Sequence, residues 1–388
     1  MKKLVFFPSD PIKAYIDKGF SYEYLDGYYN PAGYFDEVYC LSPWGEKKVE
    51  TIGKIQYIKA NPLRFKGVIK EINPDVVRGY GGYCCADWLS YNKVKNIPTV
   101  VSVHDTNPVL IHDSLRYADE IICMSKAVKN AVINRVPGIN ADNIFVMPNR
   151  INVEFFKKKT DENFFSQLNE KFGECKHILH VGRKTDQKNL DTVIKALNYV
   201  NYNATCIFIG RGDVDRYKKV AEENGVVNRC FFIDNVEHDE LPLWYSWCDC
   251  MCTPSRWEGF GLVFIEAASC EACVITSNIG PMNEYLTNNS TAILIDDYEN
   301  PKIVAEAINK ALENDTNVQE IRKSARSVGM KFSKKEVDAQ EIALYERAVN
   351  NGANNRNNYC LKARELVKQS SCILRMIGEK VLNSGRKI

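Results

Sequence analysis

Net charge is the first thing this chain has little of. Its 51 Lys and Arg stand against 49 Asp and Glu, a formal balance of +2 at pH 7, so no molecule-wide field draws in nucleic acid, and that class of partner is excluded. Long apolar runs are missing too. No stretch is long enough to span a bilayer, and Met1-Lys2-Lys3-Leu4-Val5-Phe6-Phe7-Pro8 carries basic residues but an apolar run too short for a signal peptide. The 14 cysteines lack the spacing of a disulfide framework: they fall as Cys84-Cys85, Cys248/Cys250/Cys252, Cys270/Cys273 and singles. A reducing, cytoplasmic setting with free thiols is therefore expected. Cys270-Glu271-Ala272-Cys273 has CxxC spacing but no second pair, and it lies in a helical pattern, so it reads as neither a metal nor a redox motif. Histidine is scarce, and His112, His177, His180 and His238 show no ligand spacing. A dinucleotide fingerprint is also missing: Gly210-Arg211-Gly212-Asp213 lacks the third glycine of GxGxxG.

What is present is the composition of a globular protein, 45% hydrophobic and 26% charged over 388 residues, too many for one ordinary core. Apolar strands alternate with helical patterns throughout. Lys3 to Pro8, Gly33 to Leu41, Ile72 to Val77, Pro98 to Asp105, Ala118 to Ser125 and Ile144 to Asn149 read as strands of a first half, with Ser125 capping a helix from Lys126 to Asn134. Asn152 to Gly173, of mixed charge and weak periodicity, marks the junction. His177 to Gly182, Thr205 to Ile209, Cys230 to Ile233, Cys248 to Thr253, Cys273 to Ser277 and Ala292 to Ile295 are strands of a second half. Such alternation means βαβ units and parallel sheets. The predicted fold is α/β, two Rossmann-like doubly wound domains facing across a cleft, with domains at 1–160 and 161–332 and helices over 333–388 that return to the first domain.

The segment Ser255-Arg256-Trp257-Glu258-Gly259-Phe260-Gly261-Leu262-Val263-Phe264-Ile265-Glu266 organises the rest. A strand, stopped by Pro254, feeds a glycine loop and then a helix near Leu262. Gly259 and Gly261 are expected to take φ > 0 and let backbone approach a ligand, and the helix start leaves amide N–H groups free for an oxygen-rich or anionic one. Glu266 has the neighbours of a buried helix and so needs a partner, because a buried unpaired carboxylate shifts toward its neutral form. A diol donating two hydroxyl hydrogen bonds matches it. Ligands of open parallel sheets sit beyond the carboxyl ends of the strands, which gathers His104, Gly182, Arg183, Lys188, Gly210, Gly212 and Glu258 to Leu262 on one rim. Arg183 and Lys188 there suit a diphosphate, one as a fork and one as a point charge. Asp213-Val214-Asp215 imitates a metal-binding DxD, but at a helix start its aspartates read as caps, and no metal is expected.

Taken in order, Gly182-Arg183…Lys188-Asn189-Leu190, Gly210-Arg211-Gly212, Asp239-Glu240-Leu241, Glu258-Gly259-Phe260-Gly261-Leu262…Glu266-Ala267 and Val274-Ile275-Thr276-Ser277…Gly280…Glu284 resemble the GT-B glycosyltransferases, specifically the large retaining family 4. In the first half the match is thinner: His104 after its strand, Ala118-Asp119…Ser125 and Pro148-Asn149. The loop Phe7-Pro8-Ser9-Asp10-Pro11 departs from the glycine pair frequent in that family, and Arg150 stands where a glycine is frequent. The resemblance implies a nucleoside diphosphate sugar as co-substrate, no cofactor, and a glycan or lipid-linked acceptor. It assigns leaving-diphosphate neutralisation to Arg183 and Lys188, ribose hydroxyls to Glu266, and donor-sugar hydroxyls to Glu258 and the amides of Gly259, Phe260, Gly261 and Leu262. Gly182, Gly210 and Gly212 join the donor site, and His104 approaches the sugar from the facing domain. No dedicated carboxylate nucleophile is required, since the leaving phosphate can take the acceptor's proton. A sugar-nucleotide epimerase of the same architecture and a non-catalytic sugar-nucleotide-binding protein are the alternatives. The basic amphipathic stretch Leu361 to Ile388 is expected to return to the first domain, with a peripheral membrane contact as the second reading.

Overall fold

A computed structural model of the chain describes residues 1–353 apart from 18, 19 and 46. The stretch Leu361 to Ile388 lies outside the described residues, and with it both its expected return to the first domain and the second reading of a peripheral membrane contact. No described helix is long and apolar enough to cross a membrane.

Two sheets carry the molecule. The first contains β1 (Lys3–Phe7), β2 (Glu37–Ser42), β3 (Val49–Ile52), β4 (Ile55–Lys59), β5 (Val76–Tyr80), β6 (Thr99–Val103), β7 (Glu120–Cys123) and β8 (Ile144–Val146). Their order is β3-β4-β2-β1-β5-β6-β7-β8, parallel throughout except for the β3–β4 pair. The second contains β9 (Lys176–Val181), β10 (Ala204–Ile209), β11 (Cys230–Ile233), β12 (Cys250–Cys252), β13 (Val274–Ser277) and β14 (Ile293–Ile295). It runs β11-β10-β9-β12-β13-β14, all parallel. Central strands such as Thr-Val-Val-Ser-Val of β6 are buried along their whole length, as parallel strands covered on both faces must be.

In each sheet the chain builds outward on one side, then returns to build on the other. The order reverses between β1 and β5 in the first sheet and between β9 and β12 in the second. Loops that leave such neighbouring strands in opposite directions open a crevice between them, where ligands of doubly wound sheets bind.

Several elements differ from the sequence reading, the β3–β4 hairpin among them. The junction holds a helix, Glu162–Phe172, with Asp161 as its cap, despite its weak periodicity. A sixteen-residue helix, Thr316–Lys331, went unread. The strand expected over Cys248 to Thr253 is only Cys250–Cys252, after a helix that ends at Trp247, whose ring stacks on His177 at 4.0 Å.

The helix Lys334–Asn351 docks onto the first sheet through buried charge. Glu341 accepts from Arg150 Nη2 at 2.5 Å and from Tyr345 at 2.7 Å, and lies 3.5 Å from Arg78 Nε. Asp338 pairs with Arg150 and Lys334 and accepts from the Ala32 amide at 3.0 Å. Arg150, at a position where the resemblance expects glycine, therefore fastens this helix. The two halves also touch directly. Ser125 Oγ donates to the Gly259 carbonyl at 3.0 Å while accepting from Val128 N as a cap. Glu284 accepts from the amides of Lys126 and Ala127 at 2.7 and 2.8 Å, a carboxylate from one half at a helix N-terminus of the other.

Candidate functional site

The crevice between β9 and β12 holds the residues singled out from sequence. After β9 the chain runs through Gly182 and Arg183 into a short turn, Asp186–Lys188, and then a helix from Leu190. After β12 it runs through Pro254 into the glycine loop and the helix Leu262–Ser269. The two loops are laced together: Arg256 N donates to the Gln187 carbonyl at 2.8 Å, Gln187 Nε2 to the Trp257 carbonyl at 2.9 Å, and Asn189 Nδ2 to the Pro254 carbonyl at 3.1 Å.

Gly261 has φ +82° and forms the cap of its helix without a side-chain hydrogen bond, which leaves the first helical amides facing the crevice. Gly259, by contrast, is not among the residues of positive φ. Its need for a bare backbone is steric: a Cβ there would stand 1.7 Å from the His104 carbonyl oxygen. The expectation of φ > 0 is thus corrected at Gly259 and met at Gly261. Gly210 and Gly212 likewise let chain pass, since a Cβ at either would strike the Gly182 or Lys184 carbonyl, at 2.0 and 2.4 Å. The Phe260 ring is buried between Tyr285 and Phe332, so its backbone is what faces the loop.

The cations of these loops sort by their partners. Lys184, whose role the sequence does not signal, is fully buried and donates to the carbonyls of Gly210 and, at 2.8 Å, Ile233; burial lowers its ammonium pKa. Arg256 is committed to Glu299 at 2.6 Å and Asp191 at 3.2 Å. Lys188 is 8% exposed and pairs at 2.5 Å with Glu258, itself 6% exposed. Ser255 donates to the same oxygen, Glu258 Oε1, at 2.8 Å. Arg183 is exposed, touching Gln187 Oε1 at 3.2 Å, with its guanidinium turned to solvent.

Glu266 lies one turn into its helix and accepts from Tyr245 at 3.2 Å. Protein surrounds it although it keeps some opening to the crevice, and the resulting desolvation pushes its carboxyl up to about 7, against the weaker opposing pull of Tyr245 and Lys188. Tyr24, from the first half, is close enough for the Glu266 charge to help raise its hydroxyl, after desolvation. His104 directly follows β6 and bonds Ser102 Oγ through Nε2 at 2.7 Å. Burial first, and then the Arg78 charge, depress its imidazole to about 4, so it is neutral at pH 7. All the residues predicted from sequence therefore meet along one seam, with His104 reaching it from the facing half.

Asp213 is the cap of its helix, accepting from Arg216 N at 3.1 Å. Among the described residues no cluster of three His, Cys, Asp or Glu is arranged to hold a metal ion. Cys270 and Cys273 are buried free thiols. A second cluster, of tyrosines around the β1–β5 crevice, was not read from sequence, although Tyr22-Glu23-Tyr24-Leu25-Asp26-Gly27-Tyr28-Tyr29 and Tyr80-Gly81-Gly82-Tyr83 carry its signal.

Comparison with known proteins agrees with this fold. Residues 161–328 match the model described as glycosyl transferases group 1, and residues 37–155 that of glycosyltransferase family 4. An uncharacterised glycosyltransferase of Methanocaldococcus jannaschii is 28% identical over 70% of this chain and 73% of its own. A D-inositol 3-phosphate glycosyltransferase of Xylanimonas cellulosilytica is 25% identical over 55% of this chain and 54% of its own, about half of each. Among solved structures, a glycosyltransferase of Rickettsia africae superposes with a TM-score of 0.75 at 19% identity, over 90% of this chain and 99% of its own. Anabaena HepE in complex with UDP superposes with a TM-score of 0.74 at 19% identity, over 89% and 100%.

Proposed function

This chain belongs to the family 4 glycosyltransferases with the GT-B architecture, and from that premise we propose that it transfers a sugar from a nucleoside diphosphate donor to a hydroxyl of a glycan or glycolipid acceptor, retaining the anomeric configuration. The observation that carries the reading is the meeting of the Lys188–Glu258 pair and Glu266 at the helix that starts after Gly261, beside the loop that carries Arg183. A structural neighbour, Anabaena HepE, is described in complex with UDP-glucose, which supports a nucleotide-sugar donor.

The chemistry follows from where charge develops. The bond from the anomeric carbon to the diphosphate oxygen breaks, a bond from that carbon to the acceptor oxygen forms, and the acceptor's proton passes to the leaving phosphate oxygen on the same face. Negative charge grows on the diphosphate, and fixed donors in a sheltered cleft stabilise it without reorganising. Arg183 and Lys188 supply the cations and the helix start at Leu262 the amides. Glu258 Oε1 is occupied by Lys188 and Ser255, which leaves its second oxygen for a donor-sugar hydroxyl. Glu266 takes the ribose diol. His104, neutral and unable to repel or donate as a cation, meets the sugar from the acceptor half. Because protein cations answer the diphosphate charge, the reaction proceeds without a metal ion in this reading. An epimerase would need no acceptor; the tyrosine-lined crevice beside His104 favours transfer. A cytoplasmic location belongs to the same reading.

Calorimetric titration with UDP, GDP and ADP, with and without magnesium, tests it. Tight binding of one nucleotide in both conditions is expected. Binding to none, or only with magnesium, would remove the donor assignment.

A further inference from the structure

Glu284 and Tyr285 lie within the matched residues 161–328, and neither enters the chemistry above. Both stand on one short helix, Met282–Tyr285, that follows β13 in the second half. Successive helical residues point about 100° apart, and these two serve different partners. Glu284 reaches the first half, where its carboxylate accepts from Lys126 N at 2.7 Å and Ala127 N at 2.8 Å. Tyr285 turns to the glycine loop of its own half. Its hydroxyl donates to the Phe260 carbonyl at 2.6 Å and lies 3.5 Å from the Gly261 carbonyl.

A trans peptide unit is planar, so its N–H points away from its own C=O. Holding the Phe260 carbonyl on the Tyr285 hydroxyl therefore fixes the Gly261 N–H on the opposite side of the loop. That amide has no backbone acceptor among the described residues. The preceding unit is fixed in the same way, but from the facing half: Ser125 Oγ donates to the Gly259 carbonyl at 3.0 Å, which sets the direction of the Phe260 N–H. Two hydroxyls, one from each half, thus orient two consecutive amides. The Tyr285 ring is held against Phe260 at 5.4 Å and Phe332 at 5.5 Å. Burial, and then the charges of Glu258 and Glu284, raise its phenol well above the ordinary value, so it stays a donor.

Glu284 acts one step further out. Ser125 is the cap of the helix Lys126–Arg135, and Glu284 grips the two amides that follow it, so the carboxylate holds Ser125 at the height of Gly259. Gly280 lets the second half run flush against the same helix start, since a Cβ there would stand 3.0 Å from Ala127 Cβ. Glu284 is exposed. Its grip comes from geometry: two charge-assisted hydrogen bonds to helix N-terminal amides that the helix itself leaves free.

We propose that Tyr285 and Glu284 are positioning residues of the transfer reaction: Tyr285 fixes the Gly261 amide for the donor, and Glu284, through the helix that carries Ser125, fixes the Phe260 amide when the two halves meet. This rests on the donor reading above and adds to it the groups that set the peptide planes of the donor loop. Amides aimed before the ligand arrives need no reorganisation as charge develops, and one of the two is aimed from the facing half.

NMR on the full chain tests the assignment. Phe172-Gly173 and Phe260-Gly261 are the Phe-Gly steps of the sequence, so isotope at the phenylalanine carbonyl carbon and the glycine nitrogen isolates the Gly261 amide beside that of Gly173, which ends the helix Glu162–Phe172. Phe172→Leu assigns the pair by removing the Gly173 signal. The reverse labelling isolates the Phe260 amide beside that of Phe20, and Phe20→Leu assigns it. Without any nucleotide, Tyr285→Phe should move the Gly261 signal and leave Gly173 in place. The same variant should bind about 3- to 10-fold more weakly whichever of UDP, GDP and ADP the unaltered chain binds in calorimetry. Glu284→Ala should move the Phe260 signal as Ser125→Ala does, and the double variant should move it no further. An unmoved Gly261 signal or unchanged nucleotide affinity in Tyr285→Phe, or a Phe260 signal indifferent to Glu284→Ala, would overturn the assignment. If the unaltered chain binds none of the three nucleotides, the donor reading falls, and the two amide signals still decide the positioning.

Discussion

The carbonyl oxygen of His104 occupies the space that a Cβ on Gly259 would need, 1.7 Å from its ideal position. This single approach brings the end of β6 in one half against the loop after β12 in the other, and it makes the glycine a condition of closure rather than of backbone conformation.

Replacing Gly259 by alanine must therefore push the two halves apart. Because misplacing reacting groups by about 1 Å can cost ~10²-fold in rate, Gly259→Ala should lower turnover by about that factor with a much smaller change in nucleotide affinity. Steady-state kinetics beside calorimetry checks this; unaltered turnover would mean that the contact is not part of the working state.

Lys188 and Glu258 are buried as a pair, so removing either charge strands the other. Lys188→Met and Glu258→Gln should each destabilise the fold by about 3–5 kcal/mol, whereas the double variant should lose much less than the sum, and all three should be inactive. Urea unfolding measures the coupling. Additive losses would show that the two charges do not interact.

Glu266 links nucleotide binding to pH. Its carboxyl is raised from 4.5 to about 7, so between those values the folded chain holds a proton that the unfolded chain has lost, and this group's contribution to stability falls as pH rises through the window. A ribose diol donates to the carboxylate form. Nucleotide affinity should accordingly be about tenfold weaker at pH 6 than at pH 8, with proton release on binding below pH 7. Calorimetry in two buffers of different ionisation enthalpy reads both effects. Glu266→Gln should abolish the difference beyond the nucleotide's own titration, and an unchanged profile in that variant would remove Glu266 from the site.

Arg150 makes a structural prediction of a different kind. Its guanidinium answers Glu341 and Asp338, and burial of that pair of carboxylates without it is costly. Arg150→Leu should destabilise the chain by about 3–5 kcal/mol and raise amide hydrogen exchange in the helix Lys334–Asn351. The second sheet should keep its protection. Uniform protection throughout would mean that the helix is held by its apolar face alone.

Much of this architecture was legible residue by residue. Runs such as Pro98 to Asp105 and Thr205 to Ile209 are apolar, β-branched and bounded by polar or glycine residues, and they became β6 and β10. The helix Glu162–Phe172 escaped notice although Asp161 caps it and Gly173 ends it, because its buried face is narrow and most of its residues meet solvent. The hairpin of β3 and β4 escaped for a similar reason: β3 is an exposed edge strand with little apolar pattern.

The sequence by itself determined the alternation of strands and helices, the glycine loop with its free helix start, and the identity of the charged and hydroxyl groups gathered at strand ends, since these depend on neighbours within a few residues. Which group meets which was decided only by the tertiary structure. Lys188 finds Glu258 across 70 positions, Ser125 finds Gly259 across 134 and Arg150 finds Glu341 across 191. Electrostatic pairing, desolvation and steric exclusion act through space over a few ångströms. Only the folded chain, which brings two switch points together along one seam, sets those distances.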